Sequence, residues 1–183
     1  MDSKGAPAGA KGIEKIRRPN IKRVIAVMSG KGGVGKSSVT ALLAVGAQKE
    51  GFKAGVLDAD ITGPSIPRMF GLKASSREGL SPAVSSSGIK VMSLNLLLTN
   101  EDDPVIWRGP IIGRVVTQFW EEIEWGELDY LFIDLPPGTA DAPLTVMQTI
   151  PLDGLVVVSS PQDLAVMVVK KALKMADSMD IPV

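Results

Sequence analysis

The feature that most constrains the fold is a glycine-rich stretch at residues 29–38, SGKGGVGKSS. An apolar, β-branched run at residues 24–28 precedes it, and a helical pattern from Ser38 to about Lys49 follows it. Four residues fill the fixed positions of the phosphate-binding loop pattern G-x-x-x-x-G-K-S/T, namely Gly30, Gly35, Lys36 and Ser37. Because a strand–loop–helix context is what this motif requires, the sequence predicts a nucleotide-binding chain.

The loop predicts specific phosphate chemistry. Glycines let successive backbone N–H groups turn inward, where they and the helix N-terminus can hold phosphate oxygens. We expect Lys36 to place its ammonium between the β- and γ-phosphates and the Ser37 hydroxyl to be a Mg²⁺ ligand. The alternative is a glycine-rich turn that binds nothing. The complete motif in its strand–helix context favours the phosphate site.

Composition narrows the chemistry further. The 183 residues suit one α/β domain, and 20 basic residues balance 20 acidic ones, which favours neither nucleic acid nor a membrane surface. No apolar run resembles a signal peptide or a membrane span, so we expect a cytoplasmic protein. Histidine and cysteine are absent, which excludes imidazole bases, thiol nucleophiles and cysteine-ligated metal centres within these residues. The chemistry that remains available to these residues is that of phosphates, Mg²⁺ and carboxylates.

Two later strands are predicted to end in carboxylates. Residues 54–57 run into Asp58 and Asp60, and an apolar run from residue 128 ends at Asp134 in the Walker-B form, which holds Mg²⁺, usually through water. Strand ends are where α/β sheets bind ligands, so one of Asp58 and Asp60 could face Mg²⁺ or Lys36 and the other the attacking water. Both could instead merely end a strand or cap a turn.

Several loops are candidate parts of the same site. We expect Gly138, in the Pro-Pro-Gly segment after Asp134, to bring its N–H close to a γ-phosphate. Residues 61–67 contain two prolines and a glycine, which predicts a loop over the site rather than a helix or strand. Arg108 could reach a phosphate or make only a surface salt bridge. The apolar insert at residues 96–98 is a candidate partner-facing patch.

The order of elements predicts an α/β fold: a doubly wound, mostly parallel sheet with helices on both faces. Strands are expected at residues 22–29, 54–57, 88–94, 128–135 and 155–159, and helices at residues 38–49, 111–124 and 163–179. The first helix is expected to pack on the sheet through Val39, Leu42, Leu43 and Gly46, and the three tryptophans are expected in the core. Residues 1–20 are expected to be a flexible lead-in with a solvated basic segment, and residues 21–183 an ATPase domain. Because a further strand pattern begins after Asp180, we expect the domain to be incomplete at its C-terminal side.

Several motifs together resemble one family. Lys31, directly after the first glycine of the loop, resembles the deviant Walker-A ATPases that include MinD, ParA and the nitrogenase iron protein. Five segments between residues 20 and 183 resemble the Mrp/ApbC branch of that group: 58–61, 63–67, 107–110, 134–139 and 159–162. The resemblance implies an ATP-dependent iron–sulfur cluster carrier that works as a homodimer with Mg²⁺ and serves apo iron–sulfur proteins or other assembly factors.

The resemblance also implies roles for individual residues. Lys36 would contact the phosphates of its own nucleotide, and Lys31 would reach the nucleotide of the second copy, so that hydrolysis requires dimerisation. Of the remaining residues, Asp60 would position the attacking water, Asp58 would lie near Mg²⁺, Asp134 would be the Walker-B acid, and Gly138 would couple the γ-phosphate to the dimer interface. The expected metal ligands are Ser37, Asp58 and Asp134. The expected nucleotide-binding residues are Gly30, Lys31, Gly32, Gly33, Val34, Gly35, Lys36, Ser37, Ser38, Asp58, Asp60 and Gly138.

The chain departs from the family in one respect. Family members carry a Cys-x-x-Cys pair, expected beyond Val183, with which two copies hold a 4Fe–4S cluster, and the adenine-contacting segment is also expected there. The present residues contain no cysteine and therefore no such ligands. Two alternative functions stay open at this point: a MinD/ParA-like positioning switch on membrane or DNA, and a nucleotide-binding module without turnover.

Overall fold

The computed structural model describes residues 15–60, 65–73, 81–93, 96, 109–139, 141–161 and 163–183. The strands are β1 (Ile21–Ser29), β2 (Ala54–Asp58), β3 (Ala83–Val84), β4 (Lys90–Ser93), β5 (Leu128–Asp134) and β6 (Gly154–Val158). The helices are α1 (Lys36–Lys49), α2 (Ser65–Met69), α3 (Gly109–Glu122), α4 (Asp141–Thr149) and α5 (Asp163–Asp177).

The strands form one sheet in the order β3-β4-β2-β5-β1-β6. The pairs within β4-β2-β5-β1-β6 are parallel, and only the edge pair of β3 with β4 is antiparallel. The predicted fold class, a mostly parallel α/β sheet, is confirmed. The carboxyl ends of the parallel strands therefore meet at one edge of the sheet, which is where such folds bind ligands.

Helices cover both faces of the sheet, because successive strand residues enter different cores. Along β5, Leu131 and Ile133 belong to one buried cluster and Phe132 to the other. The first cluster includes residues of α3, α4 and α5, and the second includes residues of α1 and α2. Trp120 and Trp125 are buried as predicted. Trp107 and Arg108 lie outside the described residues.

The predicted buried face of α1 is wrong for Leu42 and Gly46, whereas Leu43 is partly buried and packs against the core as expected. Thr40 and Ala44 are fully buried, whereas Leu42 is 70% exposed and Gly46 is exposed. Lys36, Thr40 and Ala44 follow one another at four-residue spacing and so share one face of the helix. Because Lys36 is turned into the carboxyl-end edge of the sheet, this face packs inward and Leu42 is rotated to the surface.

Other short elements also differ from the sequence expectations. Residues 65–69 form helix α2 where a loop was expected, and Pro67 lies in its first turn, where the missing N–H has no helical acceptor to lose. Leu96, in the proposed partner-facing insert, is 4% exposed and packs in the core, while residues 97–98 lie outside the described residues. Strand β3 and helix α4 were not predicted.

The basic segment near the N-terminus contacts the domain, while the Arg17 side chain stays 58% exposed. Arg17 pairs with Asp153 at 2.8 Å, and Arg18 donates to the Trp120 carbonyl oxygen at 2.6 Å. The Trp120 ring N–H donates to the Ile16 carbonyl oxygen at 3.0 Å. Residues 1–14 lie outside the described part of the chain. None of the described helices is long and apolar enough to cross a membrane.

The orientation of α1 predicts a contrast between two leucines. Leu57 in β2 is fully buried and Leu42 is 70% exposed. We expect Leu57→Ala to lower the free energy of unfolding by about 2–5 kcal/mol, and Leu42→Ala to change it by no more than about 0.5 kcal/mol. Urea unfolding of the 183-residue chain measures both. Equal losses would show that α1 packs through the face that the sequence suggested.

Candidate active site

Three adjacent strands end in buried polar side chains at one edge of the sheet. The register pairs Asp58, the last residue of β2, with Asp134 on β5 on one side and with Ser93 on β4 on the other. Asp58 is 1% exposed, and Asp134 and Ser93 are fully buried. Because burying carboxylates without partners is costly, the partners of this row determine what it can do.

The first partner is the ammonium group of Lys36, at the start of α1. Its Nζ lies 2.8 Å from Asp134 Oδ1 and 3.2 Å from Asp60 Oδ2, and the Lys36 side chain is only 6% exposed. The structure therefore brings the predicted loop lysine together with two of the three predicted carboxylates. Such a buried cation needs opposite charge beside it, and here two carboxylates supply it.

Two hydroxyl groups complete the surroundings of Asp134. Ser37 Oγ donates to Asp134 Oδ2 at 2.6 Å, so two of the three predicted metal ligands are in contact. Thr40 Oγ1 donates to Asp134 Oδ1 at 2.9 Å. Sequence reasoning missed Thr40. The available signal was its position four residues after Lys36, on the same face of the helix.

Asp58 is held by different donors. Ser93 Oγ donates to its Oδ2 at 2.8 Å, and the Asp60 backbone N–H donates to its Oδ1 at 3.1 Å. Burial raises the pKa of Asp58 to about 8, and the neighbouring charge of Asp134 adds to this rise, while the two hydrogen bonds oppose it. Ser93 was also missed as a site residue, although it ends a predicted strand just as Asp58 does.

The loop between β1 and α1 is shaped to receive an anion. Gly33 and Gly35 have φ angles of 78° and 90°, which favour glycine. The first turn of α1 contains no acidic residue, and no side chain caps its N-terminus. The first N–H groups of a helix have no helical acceptor and carry partial positive charge, so this end of α1 suits phosphate oxygens.

These elements enclose a cleft of about 260 Å³. The volume lies just below the range of about 300–1,000 Å³ typical of pockets that enclose a whole small molecule. It therefore suits the phosphate groups rather than an entire nucleotide. The lining residues come from the loop, α1, α2 and the segments after β2 and β5: Ser29, Gly32, Gly33, Gly35, Lys36, Ser37, Ser38, Asp60, Ser65, Met69 and Pro137.

The remaining expected residues lie around this cleft. Gly138 has a φ of 94°, and its N–H donates to the Ser29 carbonyl oxygen at 2.8 Å, so contact with a γ-phosphate would require this bond to open. Lys31 is exposed at the rim of the loop. A Cβ atom on Gly30 would lie 2.8 Å from Val168 Cβ, because α5 packs against the loop at this point. The functional roles of Gly138 and Lys31 stay predictions.

Asp58 predicts a pH dependence of stability in metal-free solution. Its folded pKa of about 8 lies above the ordinary value of 3.8, so the folded state favours the protonated carboxyl. The resulting stabilisation is fully present below the unfolded pKa and is lost as the pH rises towards 8.

We therefore expect the unfolding free energy of the wild type in EDTA to fall as the pH rises from about 5 to 8, and Asp58→Asn to flatten this fall. For one proton the limiting slope is about a tenfold change in the unfolding constant per pH unit. Urea unfolding at several pH values measures it. Parallel pH profiles for the two proteins would contradict the assignment.

The fold and this site define a P-loop nucleotide-binding protein: a parallel sheet, a glycine loop before a helix, and a loop lysine and serine on a strand-end aspartate. The chain belongs to the NUBPL iron-transfer P-loop NTPase family, whose model matches residues 20–183. The resemblance recognised from the motifs is thereby confirmed.

The relatives support this assignment. The chain is 55% identical to an iron–sulfur cluster carrier protein of Clostridium perfringens, over 88% of this chain and 61% of that protein. It is 49% identical to one from Methanocaldococcus jannaschii, over 92% of this chain and 61% of that protein. The chain therefore spans about 61% of the length of these curated relatives.

Solved structures share the fold. A nucleotide-binding protein from Archaeoglobus fulgidus, in complex with ADP, superposes with a TM-score of 0.77 at 49% identity, over 90% of this chain and 65% of that one. The MinD cell division protein of Aquifex aeolicus has a TM-score of 0.56 at 22% identity, over 86% of this chain and 65% of that one. The MinD comparison shows the fold alone.

Proposed function

We propose that this chain binds and hydrolyses ATP with Mg²⁺ as a homodimer in the cytoplasm, and that this drives the transfer of iron–sulfur clusters to apo-proteins. The observation that carries the proposal is the position of Lys36 Nζ, 2.8 Å from Asp134 and 3.2 Å from Asp60 in the cleft at the start of α1. Family membership and the ADP complex of the Archaeoglobus relative support it.

The residues present fit a magnesium ion that is shared with a nucleotide. Ser37 and Asp134 offer oxygen atoms at one point, and Asp58 lies beside them. Among the described residues, no group of three or more His, Cys, Asp or Glu side chains could hold a metal ion. This suits Mg²⁺, which keeps several waters and binds through one or two carboxylates plus substrate phosphates. When bound, it would neutralise charge on the phosphate oxygens.

The protein side chains bind the phosphates, position the attacking water and stabilise the transition state. Lys36 turns from the carboxylates to the phosphate oxygens, and Asp60 in the cleft accepts a hydrogen bond from the attacking water. The water oxygen bonds to the γ-phosphorus as the bond to the bridging oxygen of ADP breaks, and the proton that the water loses passes to an oxygen of the released phosphate. Charge spreads over the γ-phosphate oxygens in this loose transition state, so positive charge from Lys36 and from Lys31 of a second copy lowers the barrier.

The cluster is the cargo of this cycle. Because the 183 residues contain no cysteine, we assign to them the nucleotide-dependent step and assign thiolate ligation of the cluster to residues outside them. The names of the curated relatives, iron–sulfur cluster carrier proteins, support this cargo. Apo-proteins or other assembly factors would receive it.

The two loop lysines predict different kinetic losses. We expect Lys36→Ala to weaken ATP binding by about tenfold to a hundredfold, because charge-assisted hydrogen bonds contribute about 1.5–3 kcal/mol each. Lys31→Ala is expected to leave ATP binding intact and to lower the hydrolysis rate by at least about a hundredfold, as loss of a charge supplied in trans does in related phosphoryl transfers. Calorimetry and phosphate release measure these two quantities.

Lys49→Ala is the matched control, since Lys49 is an exposed lysine in the last turn of α1. Thermal melts show whether Lys36→Ala, which leaves two carboxylates without their cation, still folds. Equal hydrolysis rates in the wild type and Lys31→Ala would exclude the lysine in trans. Tight ATP binding without hydrolysis in the wild type would favour the nucleotide-binding module, and ATP-dependent binding to vesicles or DNA would favour the positioning switch.

A further inference from the structure

Two buried hydroxyl groups contact the site carboxylates without a role in the chemistry proposed above. Thr40 Oγ1 lies 2.9 Å from Asp134 Oδ1, and Ser93 Oγ lies 2.8 Å from Asp58 Oδ2. Both Thr40 and Ser93 are fully buried. We infer that Thr40 and Ser93 are positioning residues, which hold these two carboxylates in the orientation that Mg²⁺-dependent nucleotide binding requires. The inference rests on the proposed function.

The donors around Asp134 indicate that Thr40 orients its carboxylate. Among the described residues, three donors contact its carboxylate: Lys36 and Thr40 at Oδ1 and Ser37 at Oδ2. In the proposed function Lys36 turns to phosphate and Ser37 becomes a metal ligand, so neither stays committed to Asp134. Thr40 is the donor with no second task, and it is therefore the group that keeps Asp134 oriented during binding.

The geometry of Thr40 supports this role. A threonine within a helix commonly donates to the carbonyl four residues before it. Thr40 Oγ1 has the Lys36 carbonyl oxygen within reach at 3.1 Å, yet Asp134 Oδ1 lies closer at 2.9 Å. With one hydroxyl hydrogen, Thr40 favours the carboxylate, because hydrogen bonds to charged acceptors are stronger than those to neutral ones.

Ser93 holds Asp58 in a comparable way from the other side. The two residues are direct partners in the parallel register of β2 and β4, so the sheet itself determines the distance between them. The backbone N–H of Asp60, which lies just after the strand, is a second donor to Asp58 among the described residues. Because Ser93 is held in a strand that pairs with β2, its hydrogen bond to Asp58 does not depend on the position of Asp60.

The two carboxylates need such support because they are neighbours. Asp58 and Asp134 are direct partners in the register of β2 and β5, and their like charges repel when both are ionised to hold Mg²⁺. Side-chain rotation would let each carboxylate turn from the other and from the metal position. Groups that orient metal-binding carboxylates in this way typically account for about tenfold to a hundredfold in metal affinity.

The test measures ADP affinity by calorimetry, in EDTA and over a series of Mg²⁺ concentrations, for wild type, Thr40→Val and Ser93→Ala. We expect the Mg²⁺ concentration that gives half of the full gain in ADP affinity to rise about tenfold or more in both variants. The ADP affinity in EDTA is expected to stay at the wild-type value. Thr40→Ser, which keeps the hydroxyl, is expected to restore the wild-type Mg²⁺ response.

Thr117→Val is the matched control, because Thr117 donates to the carbonyl oxygen of Gly113 at 2.9 Å in α3 and contacts no site carboxylate. Loss of stability in Thr40→Val and Ser93→Ala without a change in the Mg²⁺ response would overturn the inference and leave both residues as structural only. If one variant does not fold, the other decides. A wild type whose ADP affinity does not respond to Mg²⁺ would instead overturn the proposed function, and the inference with it.

Discussion

The rest of the structure depends on the burial of one ammonium group between two carboxylates. Lys36 Nζ, on a side chain that is 6% exposed, lies 2.8 Å from Asp134 and 3.2 Å from Asp60. A charge at this depth is tolerated only beside opposite charge, so α1 has to begin next to the end of β5. Its rotation about its own axis is then determined, which turns Thr40 inward and leaves Leu42 at the surface.

A second feature of the site, the burial of Asp58 beside Asp134, lowers folding stability. Asp58 and Asp134 are buried side by side, and this burial raises the pKa of Asp58 to about 8. The apolar cores on the two faces of the sheet offset this loss of folding free energy. Their buried side chains include Trp120 and Trp125. Such an arrangement is typical of functional sites, where groups that a stable core would exclude are kept for binding.

Features with local causes could be predicted from the sequence. The glycine loop, its lysine and serine, and the apolar run ending at Asp134 each carry their own signal, and the five longer strands and three long helices were placed within two residues. Features that depend on tertiary packing could not be predicted from the sequence. Thr40 and Ser93 carry ordinary hydroxyls, and only the rotation of α1 and the register of β2 with β4 show that they contact carboxylates. The short helix at Pro67 was missed because proline excludes helix interiors but not first turns.

The most direct test of the account is the effect of Mg²⁺ on ADP affinity in Asp134→Asn compared with wild type, measured by calorimetry. In the proposed function, Asp134 supplies the negative charge that couples the metal to the nucleotide. We expect Mg²⁺ to strengthen ADP binding to the wild type. We expect Asp134→Asn to lose this gain while binding ADP in EDTA at least as well, because a charge that repels phosphate is gone. An undiminished gain from Mg²⁺ in Asp134→Asn would contradict the account.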